Sequence, residues 1–422
     1  MKVLVVGGGG REHALCWKIA QSPRVKQLHC APGNAGIAQI AECHGIAATD
    51  LDGIVGLAQS RRIDLVVVGP EDPLCLGLVD RLTERGIAAF GPTAAAAAIE
   101  GSKAFCKDLL RRHRVPTPGF RTFEDPKYAL AYLETLEDYP VVVKASGLAA
   151  GKGVTICEHA EQARTVVQDL MKHRKLGEAG ATVVLEEFVR GPEVSVLAIT
   201  DGQAIMPLEP ARDHKRLRDG DLGPNTGGMG AVCPVTLPPR MRQQVDQQIL
   251  LPVVHAMNRE GRPFKGVLYA GLMMTAKGPV VLEFNARFGD PETQAVLPRI
   301  EDDLLPYLEA AAKGTLEKLE GPRFDRRVSV SVVAASEGYP EKPETGRPIR
   351  GLDAASGADG VHIFHAGTKR SGENVVTSGG RVLAVTALGA SVEEARTKAY
   401  AAMDKIEFVG KQVRRDIALK EV

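Results

Sequence analysis

Residues 283–292, EFNARFGDPE, have the types and spacing most suggestive of chemistry in this chain. They follow an apolar run, Val280–Leu282, so the pattern predicts the end of a buried β-strand. Alternate side chains of a strand point to opposite faces, which places Glu283, Asn285 and Arg287 together. A hard cation such as Mg²⁺ would satisfy the carboxylate and amide oxygens, and the guanidinium suits a phosphate or carboxylate. An internal Glu–Arg ion pair would also explain this polar row.

A lysine followed by a glycine loop could hold the phosphates that such a cation would bridge. Lys144 ends an apolar stretch, and the loop 147–153, which contains Gly151 and Gly153, comes directly after it. A buried ammonium group needs an anion, which a nucleotide phosphate or an internal carboxylate could supply. The loop is not a Walker A motif, because its glycine spacing differs and no Ser or Thr follows Lys152.

Another predicted strand closes with residues 186–189, which include Glu186, Glu187 and Val189. The backbone N–H and C=O groups of such a strand end could contact the edge of an adenine base. Glu193 follows a Gly-Pro turn and could accept hydrogen bonds from ribose hydroxyls. A strand end exposed to solvent is the alternative.

The glycine run 7–10 follows the first predicted strand and precedes a predicted helix. Free amides at a helix N-terminus attract phosphate groups, although a tight turn without a ligand is the alternative. The dinucleotide-binding fingerprint is incomplete, because its third glycine position holds Glu12 or His13. A nicotinamide cofactor is therefore disfavoured. Glu71, at the end of a later strand, lies where open α/β sheets bind ligands.

The elements around these motifs predict three kinds of architecture. The first hundred residues alternate strands with helices, as expected for a doubly wound parallel sheet. Residues 120–190 indicate a small α+β unit, and the tail from about 326 indicates another. The predicted strands are Val3–Val6, Gln27–Ala31, Leu65–Val68, Ala88–Phe90, Val141–Ala145, Val154–Cys157, Val183–Val189, Gly266–Thr275, Pro279–Phe288 and Arg381–Thr386. The predicted helices are Glu12–Gln21, Ile54–Ser60, Leu76–Arg85, Ala160–His173 and Ser391–Ile406, and residues 213–229 show little periodicity.

Length and composition limit the functional classes. A chain of 422 residues is too long for one hydrophobic core and predicts about three domains. Its net charge of +1 disfavours binding to nucleic acid or to an acidic membrane surface. We find no apolar run long enough to span a membrane and no signal-peptide pattern. Seven scattered cysteines fit a reducing compartment, so we expect a cytoplasmic enzyme.

Taken together, the motifs resemble the ATP-grasp enzymes, and in more detail the phosphoribosylamine–glycine ligase family of purine biosynthesis. The resemblance implies a Rossmann-like domain at 1–100, an ATP-grasp core at 101–325 with a mobile lid at about 120–190, and a small α+β domain at 326–422. The matching blocks follow family order over nearly the full chain and are Gly7–His13, Gly69–Leu74, Glu100–Phe105, Lys144–Gly153, Asp213–Arg216, Gly223–Gly230, Arg287–Glu292, Phe364–Lys369 and Gly379–Val382.

The resemblance also implies a reaction. Glycine would be activated by ATP as glycyl phosphate and captured by 5-phosphoribosylamine, giving glycinamide ribonucleotide, ADP and phosphate. It implies Mg²⁺, with Mn²⁺ as an alternative, and a monomer or weak homo-oligomer. The implied roles are ATP binding by Lys103, Lys144, Gly151, Gly153, Glu186, Glu187, Val189 and Glu193; metal binding by Glu283 and Asn285; catalysis by Arg287, Asp213 and Lys215; and substrate binding by Gly9, Gly10, Arg11, Glu71, Asp290 and Pro291.

The chain departs from the family pattern at Asp72, Ser146, Arg212 and 231–233, and residues 267–275 offer no third metal-binding acid. These departures bear on substrate affinity and on a second metal ion. Three other functions stay open at this point. They are an ATP-grasp ligase for bicarbonate or a longer carboxylate, a nicotinamide oxidoreductase, and an inactive nucleotide-binding regulator.

Overall fold

The computed structural model describes residues 1–149 and 151–421, so Ala150 of the predicted glycine loop lies outside the described residues. The N-terminal part contains five parallel strands, β1 (Lys2–Gly7), β2 (Gln27–Pro32), β3 (Glu42–Cys43), β4 (Leu65–Val68) and β5 (Ala88–Phe90), and five helices, α1 (Gly10–Ala20), α2 (Leu51–Arg61), α3 (Glu71–Cys75), α4 (Leu78–Glu84) and α5 (Ala94–Gly101). The strand order β3-β2-β1-β4-β5 reverses between β1 and β4, and ligands bind outside the carboxyl ends of strands at such a reversal. The predicted doubly wound sheet is confirmed.

A separate antiparallel sheet, which we call the lid, follows helix α6 (Lys103–Arg112). Its elements are β6 (Phe120–Phe123), α7 (Pro126–Leu133), β7 (Val141–Ala145), β8 (Val154–Cys157), α8 (Ala160–Val167) and β9 (Val183–Glu187). The strand order is β6-β9-β7-β8, and Val143, Ala163 and Leu185 belong to a core of its own. The sequence patterns missed β6 and α7, and the predicted strand at 183–189 ends two residues early.

The remaining strands are β10 (Glu193–Thr200), β11 (Ile205–Pro207), β12 (Arg212–Asp213), β13 (Arg216–Arg218), β14 (Leu222–Asn225), β15 (Gly230–Cys233), β16 (Gly266–Thr275), β17 (Gly278–Asn285), β18 (Val328–Ala335), β19 (Val361–His365), β20 (Thr368–Ser371), β21 (Asn374–Thr377), β22 (Arg381–Gly389) and β23 (Gln412–Val413). The remaining α-helices are α9 (Pro239–Gln244), α10 (Leu251–Arg259), α11 (Glu292–Val296), α12 (Leu305–Lys313), α13 (Leu352–Ala355) and α14 (Val392–Met403). Shorter helical turns are Ile37–Gln39, Gln168–Lys172, Gly177–Gly180, Asp219–Asp221, Val245–Leu250, Leu297–Arg299, Leu316–Lys318 and Leu419–Glu421.

The central sheet has the order β11-β10-β16-β17 and contains the predicted hairpin. Strand β17 lies at the edge of this sheet and carries Glu283 and Asn285 near its C-terminal end. On the opposite face, Phe284, Ala286 and Phe288 are each at most 2% exposed, as strand alternation predicted. Strand β17 ends at Asn285, so Arg287 lies in the segment after it.

The C-terminal sheet has the order β12-β15-β18-β22-β19, with β23 paired to β18. Strands β12 and β15 come from residues 212–233, within the predicted ATP-grasp core, and so cross the predicted boundary near residue 326. The segment between them, expected to be irregular, contains the hairpin β13-β14. Ser391 accepts a hydrogen bond from Glu394 N at 3.2 Å and caps helix α14. No helix of the described residues combines the length and apolar character needed to cross a membrane.

Candidate active site

A cavity of about 1330 Å³ is lined by residues of the N-terminal sheet, the lid, the central sheet and the C-terminal sheet. The predicted site residues that line it are Arg11, Glu71, Lys103, Lys144, Gly151, Gly153, Glu186, Glu187, Val189, Glu193, Asp213, Lys215, Glu283, Asn285, Arg287 and Asp290. Gly9 instead lines a second cavity of about 410 Å³, while Gly10 and Pro291 line neither. Motifs far apart in sequence therefore meet around one space.

A buried cluster of lysines surrounds a single carboxylate on the cavity wall. Lys144 Nζ lies 2.7 Å from Glu186 Oε2, and Lys107 Nζ lies 3.0 Å from Glu186 Oε1. Glu186 is thus the internal carboxylate considered for Lys144, and its side chain is not at a solvated strand end. Lys107 was not predicted as a site residue, although it follows Lys103 by four residues and so shares its face of helix α6.

The same cluster has more positive than negative charge. Lys103 Nζ donates to Gly147 O at 3.3 Å, which links it to the glycine loop. Burial lowers the pKa of both Lys103 and Lys107, and the charge of nearby Lys144 also lowers them. The ammonium groups of Lys107 and Lys144 thus contact Glu186, and that of Lys103 interacts with Lys144 beside them. A polyanion such as a nucleotide phosphate would relieve their repulsion.

The predicted metal ligands, Glu283 and Asn285, belong to strand β17, which has an irregular register beside Glu283. Gly271 pairs with Glu283 and Leu272 with Val281, so Leu282 bulges and its carbonyl accepts from Lys144 Nζ at 3.1 Å. Because glycine stands opposite Glu283, the partner strand adds no acid there. The sequence had predicted this absence.

Charge around Glu283 favours its ionised form. Burial raises the pKa of this carboxyl group, but Lys215 and Lys144 outweigh that effect and the pKa is lowered. Asn285 Oδ1 accepts from Arg287 Nη2 at 3.3 Å. An ionised carboxylate and an amide oxygen on one cavity wall are the donors that Mg²⁺ prefers, so these residues fit a hard cation.

Arg287 forms internal ion pairs, but its partners are Glu71 and Glu100. Its Nε lies 3.0 Å from Glu71 Oε2, and its Nη2 lies 2.8 Å from Glu100 Oε1. The pair with Glu283 that was considered from the sequence is not found among the described residues. Glu100 Oε2 also accepts from Ala286 N at 2.6 Å, so it fixes the chain directly after β17. No sequence pattern had singled out the Glu100 carboxylate.

Arg11 joins the N-terminal sheet to the same segment. Its Nη1 donates to Phe288 O at 3.2 Å and lies 4.0 Å from Glu71 Oε2. Burial raises the pKa of Glu71, but Arg287 and Arg11 outweigh it and lower the pKa to about 2. Glu71 is therefore ionised at neutral pH, and its contacts with Arg287 and Arg11 join the N-terminal sheet to the segment after β17.

The smaller cavity lies beside the N-terminus of helix α1. It is lined by Gly8, Gly9, Pro32, Gly33, Asn34, Asp290, Ala366, Gly367, Thr368, Ser378 and Arg381. Glu12 Oε2 accepts from Gly9 N at 2.6 Å, so one amide of the predicted phosphate cradle already has a partner. Arg381 lines both cavities, and its Nη1 donates to Asp290 O at 2.7 Å. Arg381 was not predicted as a site residue, although it lies in the matching block Gly379–Val382.

Asp213 and Lys215 face a concentration of acidic groups. Lys215 Nζ lies 2.8 Å from Glu193 Oε2. Burial raises the pKa of Asp213 to about 7, opposed by Lys215 and reinforced by Glu292. Glu292 is itself buried and accepts from Tyr269 OH at 2.6 Å. Asp213 can therefore gain or lose a proton near neutral pH.

Comparison with known proteins gives the family. Models of the phosphoribosylglycinamide synthetase N domain, ATP-grasp (A) domain and C domain match residues 1–100, 101–293 and 329–420. The chain is 49% identical over 424 residues to phosphoribosylamine–glycine ligase of Rhodopirellula baltica, covering 99% of this chain and 97% of that protein. The chain belongs to the phosphoribosylglycinamide synthetase family.

Other members and more distant structures agree with this family. The ligase of Streptomyces coelicolor is 50% identical over 423 residues, covering 100% of this chain and 99% of that protein. The crystal structure of the Thermotoga maritima ligase has a TM-score of 0.85 and 34% identity, covering 99% of this chain and 100% of that one. The biotin carboxylase domain of Hydrogenobacter thermophilus 2-oxoglutarate carboxylase, solved with MgADP and bicarbonate, has a TM-score of 0.74 at 19% identity, covering 98% and 91% of the two chains. That last likeness shows the shared fold alone.

In this synthetase-family chain, the C-terminal segment 414–421 fastens the loop that carries Lys215. Arg414, 1% exposed, donates to Arg216 O at 3.0 Å and lies 3.1 Å from Asp221 Oδ1. Ala418 N donates to His214 Nε2 at 3.1 Å. These contacts hold hairpin β13-β14 at the cavity rim.

We expect Arg414→Met to raise the KM for glycine by about tenfold, a change of about 1.4 kcal/mol, because the loop would lose its buried anchor. Steady-state kinetics with a thermal melt would measure the effect. Arg415→Ala is the matched control, since that side chain is about half exposed and pairs with Asp404 at 2.7 Å. Equal KM values in the two variants would contradict a positioning role for Arg414.

We expect Gly10→Val to raise the KM for phosphoribosylamine by more than about tenfold, while the affinity for ATP stays unchanged. A Cβ atom at Gly10 would meet Gln294 Nε2 at 2.6 Å, and that amide donates to Asp290 Oδ1 at 2.7 Å. The added methyl groups would thus displace Asp290 at the junction of the two cavities. Gly56→Val, at an exposed helix glycine with open space around it, is the control. A selective loss of ATP affinity would instead move the nucleotide to the N-terminal domain.

Proposed function

We propose that this chain ligates glycine to 5-phosphoribosylamine at the expense of ATP, forming glycinamide ribonucleotide, ADP and phosphate. Its family membership and the charge distribution of the larger cavity support this reaction. The observation that carries the proposal is that Lys103, Lys107 and Lys144 line one cavity together with the oxygen donors of Glu283 and Asn285. This arrangement suits a nucleotide triphosphate with a divalent cation.

ATP would bind between the lid and the central sheet. Lys103, Lys107 and Lys144 would neutralise the phosphates, and Lys144 would exchange part of its contact with Glu186 for a phosphate oxygen. The strand end at Glu187–Val189 would meet the adenine, and Glu193 the ribose. The Glu187 carboxylate accepts from Gly119 N at 3.1 Å, so its backbone is the part available to the base.

Glu283 and Asn285 would hold Mg²⁺, and Mn²⁺ can replace it at these oxygen donors. The cation, when bound, neutralises charge on the phosphates. Closure of the lid would exclude water from the reactive acyl phosphate. Gly151 has φ +78°, a conformation suited to glycine, and lies beside Thr226 of the opposite loop.

Glycine would lie near Asp213 and Lys215. One oxygen of its carboxylate attacks the γ-phosphorus, the bond to the bridging oxygen breaks, and ADP leaves. Lys215 would steady the negative charge of the transferring group, while Asp213 would bind the glycine ammonium group or accept the amine proton. Arg287 would act mainly by fixing Glu71 and Asn285, because two carboxylates already occupy its guanidinium.

Phosphoribosylamine would reach the acyl phosphate from the smaller cavity, where Arg381 and the hydroxyls of Thr368 and Ser378 are suited to phosphate. Its amine attacks the acyl carbon, and phosphate leaves with one oxygen of glycine. Asp290 lines both cavities and Gly9 the smaller one, so both would contact this substrate. Pro291 would act through packing, since a Cβ at Gly228 would meet it at 2.5 Å.

Isotope transfer tests the reaction directly. The chain is supplied with glycine labelled with ¹⁸O in its carboxylate, ATP, Mg²⁺ and phosphoribosylamine formed in place from ribose 5-phosphate and ammonia. We expect one ¹⁸O atom in each inorganic phosphate, and ADP release that requires both glycine and the amine. Dependence on bicarbonate, reduction of NAD⁺, or unlabelled phosphate would reject the proposal.

Two further expectations belong to the proposal: a monomer or weak homo-oligomer, and a cytoplasmic location that fits its scattered cysteines.

A further inference from the structure

Two histidines and a glutamate meet at the edge of the N-terminal sheet, away from both cavities. Parallel pairing places His29 of β2 directly opposite Glu42 of β3. His44 follows Glu42 by two residues and so returns to the same face. His29 Nδ1 lies 3.1 Å from His44 Nε2 and 3.4 Å from Glu42 Oε2, and His44 Nε2 lies 3.8 Å from Glu42 Oε1.

These spacings are close to the distances between neighbouring donor atoms around a bound metal ion. Zn²⁺ binds imidazole nitrogen and carboxylate oxygen at about 2.0–2.2 Å, so neighbouring donors of a tetrahedral site lie about 3.3–3.5 Å apart. Of the three observed distances, 3.4 Å falls within that range, 3.1 Å lies below it and 3.8 Å lies above it. Two histidines with one glutamate are also a familiar zinc ligand set, and water can complete it. Glu42 is half exposed, which leaves solvent access to a fourth position.

The His29 ring makes no polar contact with any side chain other than those of Glu42 and His44 among residues 1–149 and 151–421. It is 2% exposed, and its Nε2 has no hydrogen-bond partner there. All its polar contacts are therefore directed at Glu42 and His44. Burial lowers the pKa of His29, and nearby Glu42 only partly opposes this, so the ring is neutral and able to bind a metal at neutral pH.

We propose that His29, Glu42 and His44 form a binding site for a zinc-class divalent cation that ties edge strand β3 to β2. Arg61 limits its affinity, because its Nη2 lies 2.8 Å from Glu42 Oε1 and adds positive charge beside the site. The site is independent of ligation, since none of its three residues lines either cavity.

Cobalt substitution tests the site in the full chain. Bound metal is first removed from the chain with a chelator. The chain is then titrated with Co²⁺ in the presence of excess Mg²⁺, so that Mg²⁺ occupies sites that consist of oxygen donors alone. We expect one equivalent of Co²⁺ to give the intense visible absorption of four-coordinate cobalt, and Zn²⁺ to displace it. Saturating Zn²⁺ should also raise the Tm of the chain. The absence of saturable binding would overturn the proposal.

Variants identify the ligands. His44→Ala should weaken binding by at least about 100-fold, since even indirect partners of a metal commonly contribute 10–100-fold. Glu42→Gln should also weaken it, whereas Arg61→Met should strengthen it about tenfold, which a cluster held only by hydrogen bonds would not show. His173→Ala, at an exposed histidine of the lid, is the control and should bind as the parent does. Unchanged Co²⁺ binding by His44→Ala would overturn this ligand set. So would a sulfur-to-cobalt charge-transfer band in the parent that disappears in Cys43→Ser, because Cys43 would then be a ligand.

Discussion

Glu283→Ala should lower the rate of Mg²⁺-dependent ADP formation by about 10³-fold or more, a loss of about 4 kcal/mol of transition-state stabilisation. The residue supplies the ionised oxygen donor of the proposed metal site, and Gly271 on the partner strand offers no replacement. Glu283→Gln keeps the shape but removes the charge, so we expect a similar loss. ADP release measured across a range of Mg²⁺ concentrations, together with ATP titrations with and without Mg²⁺, gives the effect.

Glu187→Gln is the matched control for this prediction. Glu187 also lines the cavity, but its carboxylate accepts from Gly119 N, so we expect less than about a threefold change. Thermal melts separate two roles of Glu283, because it also offsets the charge of Lys103, Lys144 and Lys215. A lower Tm with normal Mg²⁺ dependence would reduce Glu283 to a charge-balancing group. Unchanged turnover would remove the metal assignment.

Local patterns were sufficient for much of the fold. Runs such as Leu65–Val68 are short, apolar and β-branched, so they predict buried strands from the sequence alone. Alternation after Val280 predicted which face of β17 is polar, and the buried phenylalanines agree. What local patterns could not give was pairing between distant segments. Strand β6 is recognisable only through its pairing with β9, and β12 and β15 only through the C-terminal sheet.

The same limit applies to the candidate site. Residue type and spacing predicted that Lys144 and Arg287 require anions, because buried charges need partners. Which carboxylates serve them depends on tertiary packing, which brings Glu186 to Lys144 and Glu100 to Arg287. Lys107 and Arg381 were missed for this reason. Each is an ordinary cation in the sequence and gains its meaning from groups more than 70 residues away.

Asp213→Asn should abolish efficient ligation and yet stabilise the folded chain at alkaline pH. The pKa of Asp213 is raised from 3.8 to about 7 in the folded state, mainly by burial. The folded state therefore holds this proton more tightly than the unfolded state, and that contribution to stability is lost as pH rises through about 7. Asparagine cannot ionise. The loss begins above pH 3.8, so we expect the Tm of the variant relative to that of the parent to rise by about 2–4 °C between pH 5 and pH 8. Turnover should fall about 10²-fold or more, the usual contribution of a positioned acid or base.

Asp221→Asn, in the same loop, should behave in the opposite way and serves as the control. Hydrogen bonds from Lys420 and Arg414 lower the pKa of Asp221, and burial only partly opposes them. Its contribution to stability is therefore present above pH 3.8 and lost only in stronger acid. The variant should melt below the parent by a constant margin from pH 5 to pH 9. A Tm difference for Asp213→Asn that also stays constant over this range would show that Asp213 does not titrate near neutrality. Its charge would then be fixed over this pH range, and titration of Asp213 would not account for any pH dependence of the ligation.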